Sequence, residues 1–182
     1  SYVLSARVSP LTYEYRAVRK FLPHMLGGLD NFNAKVGDLY GKLHFQVNEK
    51  SALDASFLGS MDSYGYDTQG DSHDEMSWDN LLGILRYRYD GEVTSFNFTA
   101  SANRYGSRQK QDKTYRWEVS HYSLRSSLME YGLKAGLQHR FLDERLVIGE
   151  GLNLRYGRFA PGQIGEDTRI SNTTLSTLWI QA

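Results

Sequence analysis

The sequence predicts an all-β protein: an antiparallel, up-and-down transmembrane β-barrel segment of about eight strands, with short periplasmic turns and long extracellular loops. Three observations carry that expectation. Apolar and polar residues alternate with period two through eight separate segments. The connections between those segments alternate strictly between short and long. No stretch reaches the ~18 apolar residues of a membrane helix, so membrane crossing, if it occurs, falls to strands.

The first segment, "SYVLSARVS" at 1–9, sets Tyr2, Leu4, Ala6 and Val8 against Ser5, Arg7 and Ser9. Residues 38–47 put Leu39, Gly41, Leu43, Phe45 and Val47 on one face and Lys42, His44 and Gln46 on the other. A turn at 48–51 leads into 52–61, where Leu53, Ala55, Phe57 and Met61 oppose Asp54, Ser56 and Ser60. In 81–90, Leu85, Tyr87 and Tyr89 alternate with Arg86 and Arg88, although 81–85 is apolar on both faces. "DGE" at 90–92 fits a hairpin turn. Phe96, Phe98, Ala100 and Ala102 then alternate with Asn97, Thr99, Ser101 and Asn103. Residues 130–141 set Tyr131, Leu133, Ala135, Leu137 and Phe141 against Lys134, Gln138 and Arg140. After a turn at 142–145, Leu146, Ile148, Leu152, Leu154 and Tyr156 alternate with Gly149, Gly151, Asn153 and Arg155. The last segment, "TTLSTLWIQA" at 173–182, is strand-like to its end.

The three turns are short, whereas the connections at 10–36, 61–80, 104–124 and 160–173 are long. A membrane barrel keeps its short turns on the periplasmic side and its longer loops outside. A soluble sandwich has no reason to do so. Tilted strands of ~9–11 residues cross a bilayer. The apolar face then meets lipid and the polar face a wet lumen. Phe57, Phe98, Leu137 and Leu154 are expected on the lipid side, and Arg88, Asn97, Gln138 and Arg155 on the lumen side. Lys42, His44, Arg86, Arg88, Lys134, Arg140 and Arg155 are the expected lumen wall. Tyr87, Tyr89, Phe141, Tyr156 and Phe159 lie near strand ends, where aromatic girdles sit, although any sheet is rich in aromatics. Glu150 falls on the lipid face, where a charge is costly near the midplane and tolerable near an interface, so either a bulge is expected to shift it inward or the register differs locally. The soluble alternative is a lipocalin-like or sandwich binding domain that uses the apolar face as its core.

Composition narrows the function classes. The 182 residues suffice for one good-sized domain. Lysine plus arginine equals aspartate plus glutamate, 21 against 21, so nothing global argues for a nucleic-acid or acidic partner. Cysteine is absent, which excludes disulfides and thiolate metal sites. No secretory signal stands at the start.

The acidic stretch 61–80 holds Asp62, Asp67, Asp71, Asp74, Glu75 and Asp79 without lysine or arginine. Clustered carboxylates suit a hard cation, but the spacing matches no EF-hand loop, and a solvated acidic loop is the favoured reading. Tyr64, Tyr66 and Trp78 in the same stretch, with Tyr105 and Trp117 in the next, offer flat faces for an extracellular ligand. Loop packing explains them equally well. The second stretch is basic, with Arg104, Arg108, Lys110, Lys113 and Arg116. Single-stranded nucleic-acid readers share that composition, yet lipid phosphates or the acidic stretch beside it are the expected contacts, and no nucleic-acid partner is expected. The histidines His24, His44, His73, His121 and His139 are scattered without ligand spacing. No nucleophile elbow or triad order appears, and the glycine-rich stretches precede no helix. No enzyme activity, cofactor or metal is expected.

"SYVLSARVS", "DLYGKLHFQVNEKSALDASFLGSMDSYGY", "SSLMEYGLKAGLQHRF" and "GLNLRYGRFAPG" together resemble the early barrel of TonB-dependent outer-membrane receptors, of the type with a carboxypeptidase-like regulatory domain before the plug. The likeness keeps its order over nearly the whole chain and is poor in the two long connections. It implies a location in the cell outer membrane, contact with outer-membrane lipid, and import of a siderophore, vitamin, glycan or peptide. It also implies that 1–182 is the N-terminal part of a receptor barrel, about a third of the wall, partnered by further strands and a plug. The TonB complex would be reached through that plug. The alternative is a complete eight-stranded outer-membrane barrel with a structural or adhesive role.

Overall fold

The structure, a computed structural model, describes residues 1–22, 29–68, 72–115, 118–141, 145–162 and 170–181. Strand β1 (Tyr2–Ser9) is followed by helix α1 (Leu11–Phe21). Seven strands succeed it: β2 (Leu29–Asn48), β3 (Ser51–Thr68), β4 (Ser72–Asp90), β5 (Thr94–Tyr115), β6 (Glu118–Phe141), β7 (Leu146–Ala160) and β8 (Ser171–Gln181). They form one antiparallel sheet in the order β1 to β8, with β1 and β8 at opposite edges. The expected up-and-down topology is therefore the observed one.

The short reversals share one edge. Gln46 Nε2 donates to the carbonyls of Asn48 and Ser51, and the Lys50 amide donates to Asn48 Oδ1. At the next reversal the Gly91 amide donates to the Thr94 carbonyl at 2.9 Å. A Cβ on Gly91 would lie 2.8 Å from that carbonyl oxygen, so the turn requires glycine. The Asp90 amide reaches the Lys50 carbonyl, and the Arg140 amide reaches the Val93 carbonyl. These bonds set the ends of β2, β4 and β6 side by side. The expected turn at 142–145 lies largely outside the described residues, and Phe141 pairs with Leu146 across it.

At the other edge the expected long loops are largely strand. β3 and β4 stay paired out to Thr68 and Ser72, and β5 and β6 out to Tyr115 and Glu118. The first connection holds α1, which the alternation did not predict. Leu11, Tyr15 and Val18 recur at helical spacing, Glu14 sits in the first turn, and Arg19 and Lys20 sit in the last. Thr12 Oγ1 donates to the Ala34 carbonyl at 2.6 Å and accepts from its amide at 2.7 Å, pinning the helix to β2. The Tyr15 and Phe32 rings meet at 4.9 Å. Beside them the β2–β3 register shifts between Asp30 and Asn33, and Asn31 has φ 52°. Asparagine tolerates that left-handed conformation better than most residues.

Residues opposite each other in register share a face, so the pairing settles which way each side chain goes. One face carries an unbroken apolar band. Its rows include Phe57–Gly83–Ala102–Tyr131–Tyr156, then Ala55–Leu85–Ala100–Leu133–Leu154, then Leu53–Tyr87–Phe98–Ala135–Leu152–Leu178. Phe57, Phe98, Leu137 and Leu154 share it, and Arg88, Asn97, Gln138 and Arg155 share the other, as the alternation predicts. Tyr131 stacks on Tyr156 at the upper margin (6.5 Å, 22°), and Tyr87 meets Phe96 toward the lower one. The ten steps from Tyr131 to Phe141 span about 33 Å along the strand, or about 25 Å of height at barrel tilt.

Nothing in the described structure covers this band. Ala34 and Ala52 are the buried hydrophobic residues among those described, whereas Leu133 is 47% exposed and Leu43 62%. A soluble domain of this size would bury its large aliphatic side chains. Glu150 stays on the band, between Leu137 and Ile180, with no register shift beside it. Its row also holds Tyr89 and Phe96, so neither the expected bulge nor a different register moves it off this face; it lies at the lower aromatic margin.

The glycines give a test of the sheet. A Cβ on Gly151 would come within 2.7 Å of the Ala135 carbonyl oxygen and 2.6 Å of the Trp179 ring, whereas a Cβ on Gly83 would meet nothing within 4 Å. Gly151→Ala is expected to destabilise the folded protein in detergent by ~1–3 kcal/mol. Gly83→Ala should leave the unfolding midpoint unchanged or slightly raised. Equal midpoints for the two variants in urea titrations followed by tryptophan fluorescence would contradict this packing.

Candidate functional site

The polar face is organised around Asp54. In register, His44, Asp54 and Arg86 lie directly opposite one another on β2, β3 and β4. Asp54 is 8% exposed, the carboxylate deepest in the sheet's own polar layer. Its Oδ1 accepts from His44 Nδ1 at 2.8 Å, and its Oδ2 from Arg88 Nη2 at 2.8 Å. Lys42 Nζ stands 3.9 Å away. A buried carboxylate needs such partners, because its desolvation is costly without them.

The same row continues through Thr99 to Lys134 and Asn153, and the adjoining row brings in Arg155 opposite Gly132. Lys42, Arg86, Arg88, Lys134 and Arg155 thus occupy three neighbouring rows with Asp54 as their carboxylate. Among the described residues, Arg86, Lys134 and Arg155 form no ion pair. Six of the seven expected wall residues therefore gather in one field. Arg140 shares their face but is engaged elsewhere: it donates to the Gly91 carbonyl and to Asp90 Oδ1, each at 3.0 Å, and straps the β4–β5 turn.

Above this field the polar face becomes aromatic. Tyr64, Tyr66, Trp78 and Tyr105 all point to it by register. Trp78 meets Tyr64 edge-on at 5.0 Å and 89°, and its Nε1 donates to Asp62 Oδ2 at 2.6 Å. Tyr66 stands opposite Asp74, and Tyr105 opposite Asn80. Trp117 lies outside the described residues. The sequence reading placed Asn103 on the polar face but singled out neither it nor Asn80 as a site residue; the Oδ1 atoms of both are buried without a hydrogen-bond partner. Their signal was available: they continue the parity of Trp78 and of Thr99.

The acidic stretch does not converge. Asp62 and Asp74 point to the polar face and Asp67, Glu75 and Asp79 to the opposite one, while Asp71 lies outside the described residues. Among the described residues no three histidine, aspartate or glutamate side chains are arranged to hold a metal ion. The carboxylates pair instead with their neighbours. Gln111 donates to Asp74, Lys110 pairs with Glu75 at 3.4 Å, and His121 with Asp112 at 2.7 Å. His73 Nδ1 donates to Asp67 Oδ1 at 2.6 Å, and Asn31 to Asp67 Oδ2. Contact between the acidic and basic stretches is thus the arrangement found.

A single antiparallel sheet with one apolar and one polar face has the architecture of a β-barrel wall. No helix among the described residues is long and apolar enough to cross a membrane, which says nothing of strands. No family model matches the chain, and no curated protein matches it. Among solved structures it is similar to BauA, the ferric preacinetobactin receptor from Acinetobacter baumannii, at 9% identity and a TM-score of 0.46. The match covers 82% of this chain and 28% of that one. At that level it assigns neither a family nor an activity.

Two predictions follow from this face and its rim. Asp54→Asn leaves His44 and Arg88 without their carboxylate. It is expected to cost about 1–2 kcal/mol in detergent unfolding, the modest figure reflecting half-exposed partners. An unchanged midpoint would show that the cations hold without it. At the rim, the hydrogen bond to Asp67 raises the His73 pKa above 6.5, and the same bond holds the Asp67 carboxyl below 3.8. The stability His73 contributes is complete below pH 6.5 and is lost as pH rises through its folded value. That of Asp67 is complete above pH 3.8 and is lost as pH falls through its own. An NMR titration should find His73 above 6.5 and Asp67→Asn should bring it back down; a wild-type midpoint at or below 6.5 would contradict the pairing.

Proposed function

We propose that this chain forms part of the wall of an outer-membrane β-barrel, and that the intact protein imports a nutrient as a TonB-dependent receptor. The observation that carries the wall reading is the uncovered apolar band backed by the Asp54-centred polar face. Roughly 25 cal/mol is at stake for each square ångström of apolar surface left in water. A band crossing all eight strands is far larger than the few hundred square ångströms a soluble monomer exposes. Its height and its aromatic margins suit a bilayer. The receptor reading rests on the ordered motifs "SYVLSARVS", "EYGLKAGLQHRF" and "GLNLRYGRFAPG". In it, the cationic rows line the lumen and face whatever fills it, and the Tyr64–Trp78 pair stands at the extracellular entrance. Import is then a property of the whole receptor, to which this wall contributes one side.

The native lack of cysteine makes the wall reading testable. Single cysteines at Leu85, Leu133 and Leu154, each labelled with bimane in the reconstituted intact protein, should be quenched by brominated lipid. Cysteines at Thr99 and Ser101 should not. Strong quenching by aqueous iodide at the three leucine positions, with none by brominated lipid, would sink the membrane assignment. For import, a strain lacking the gene is compared with its parent on panels of iron, vitamin, glycan and peptide sources. Growth lost on one source, and lost likewise when TonB is inactivated, supports uptake; unchanged growth on all of them contradicts it.

A further inference from the structure

Just beyond the upper margin of the apolar band, four arginines from three strands gather on the same face. Arg104 of β5 and Arg158 of β7 flank Met129 of β6 in a single row, next to the stacked Tyr131–Tyr156 pair. Two rows further on, Arg108 and Arg125 stand directly opposite each other on β5 and β6. Like charges directly opposite across an antiparallel pair are destabilising. Yet among the described residues none of the four forms an ion pair. The rows above them behave differently: there Glu75 pairs with Lys110, Asp67 with His73 and Asp112 with His121. Among the described residues on this face, the charges above the arginines are paired, whereas the four arginines, Asp79 and Lys35 form no ion pair.

The row between the two arginine pairs is built of small residues, Gly106, Ser127 and Ala160. It forms a low floor about 13 Å from one arginine row to the other. Asp79 is the acid at this floor; a Cβ on Gly106 would lie 2.8 Å from its Oδ1. One carboxylate against four guanidinium groups leaves the patch strongly cationic. Arg104, Arg125 and Arg158 are exposed and Arg108 is half-buried, so the guanidinium groups are available to an anion. Guanidinium forks match phosphate oxygens bidentately, and the level just outside an aromatic girdle is the headgroup level of a bilayer.

We propose that Arg104, Arg108, Arg125 and Arg158 form a site for the phosphate groups of a lipid headgroup, on the lipid side of β5–β7 at the outer margin of the apolar band. The site rests on the membrane reading above and names the lipid chemistry that reading lacks. Bound phosphate relieves the opposed Arg108–Arg125 pair and fixes the depth of the sheet in the bilayer.

The test takes the intact protein in neutral, phosphate-free detergent and titrates it with diphosphoryl lipid A, counting bound lipid by native mass spectrometry. Arg108→Gln/Arg125→Gln and Arg104→Gln/Arg158→Gln are each expected to weaken binding at least tenfold. Glu75→Gln/Lys110→Gln should leave it within twofold. The Arg108→Gln/Arg125→Gln variant should also unfold at the same or higher urea concentration in lipid-free detergent, because a repulsive pair is gone. A lower midpoint would mark the arginines as structural and overturn the proposal. So would undiminished lipid A binding by the variant lacking all four. Displacement of lipid A by equimolar inorganic phosphate would make this a free-phosphate site, against the proposal. Bimane quenching at Leu133 and Leu154 separates the two readings: quenching kept with binding unchanged in the variants overturns the headgroup site alone, whereas quenching lost overturns the membrane assignment beneath it.

Discussion

The unbroken antiparallel ladder is the constraint on which the rest of the molecule depends. Within the band no described element covers the backbone, so the ladder itself has to pair its amides and carbonyls. Each strand between β2 and β7 is therefore bonded on both sides. Such a ladder fixes register, and register fixes faces, because a slip of one residue turns every side chain over. Between Thr94 and His139 at one end and Tyr115 and Glu118 at the other, β5 and β6 pair without a shift. That continuity is what allows four arginines, or six polar-face residues, to be placed together from pairing alone.

With no apolar core, the polar face stabilises itself through direct bonds between side chains. Asp54 joins three strands by accepting from His44 and Arg88 with Lys42 nearby. Arg140 joins β6 to the β4–β5 turn, and Lys50 pairs with Glu92 across the neighbouring turns at 3.1 Å. Each such bond contributes little by itself where water reaches it. Together they hold the short-turn edge in one arrangement, so the band above it stays continuous.

How much of this was legible in the sequence varies with how unlike the two faces are. Residues 93–103 and 146–156 read correctly because one face is apolar and the other polar, the condition under which period two shows. Beyond the band both faces are wet, so the hydrophobic signal vanishes although the strands continue. There the alternation survives as charge: Asp67, His73, Asp112 and His121 form one row across β3 to β6. Helix α1 escaped because its apolar positions are diluted by tyrosine and charge, and its docking depends on Thr12 meeting Ala34, a contact far apart in sequence. That Lys42, His44, Arg86, Arg88, Lys134 and Arg155 share one face was legible by parity. Their common field was not, because it needs the offsets between strands. Arg140 shows the limit of parity: the face was right, but its bonds to a distant turn were invisible.

The polarity of the two faces exchanges along the strands, and this bears on what each end can do. Within the band, the apolar face is rich in leucine, phenylalanine and tyrosine, while the opposite face holds lysine and arginine beside Leu58, Leu82 and Ile84. Past the Leu81–Arg104–Met129–Arg158 row the apolar face turns charged, and the opposite face gains Trp78, Tyr64, Tyr105, Leu124 and Leu128. A sheet wet on both faces would have no need of apolar side chains on either. Their presence opposite the charged rows gives that end of the sheet a surface suited to flat or apolar groups, with Trp78 tied to Asp62 by a hydrogen bond. The cationic rows lie deeper on the same face. Along that face the aromatic side chains therefore stand beyond the cationic rows, an order set by the ladder and not by any single residue.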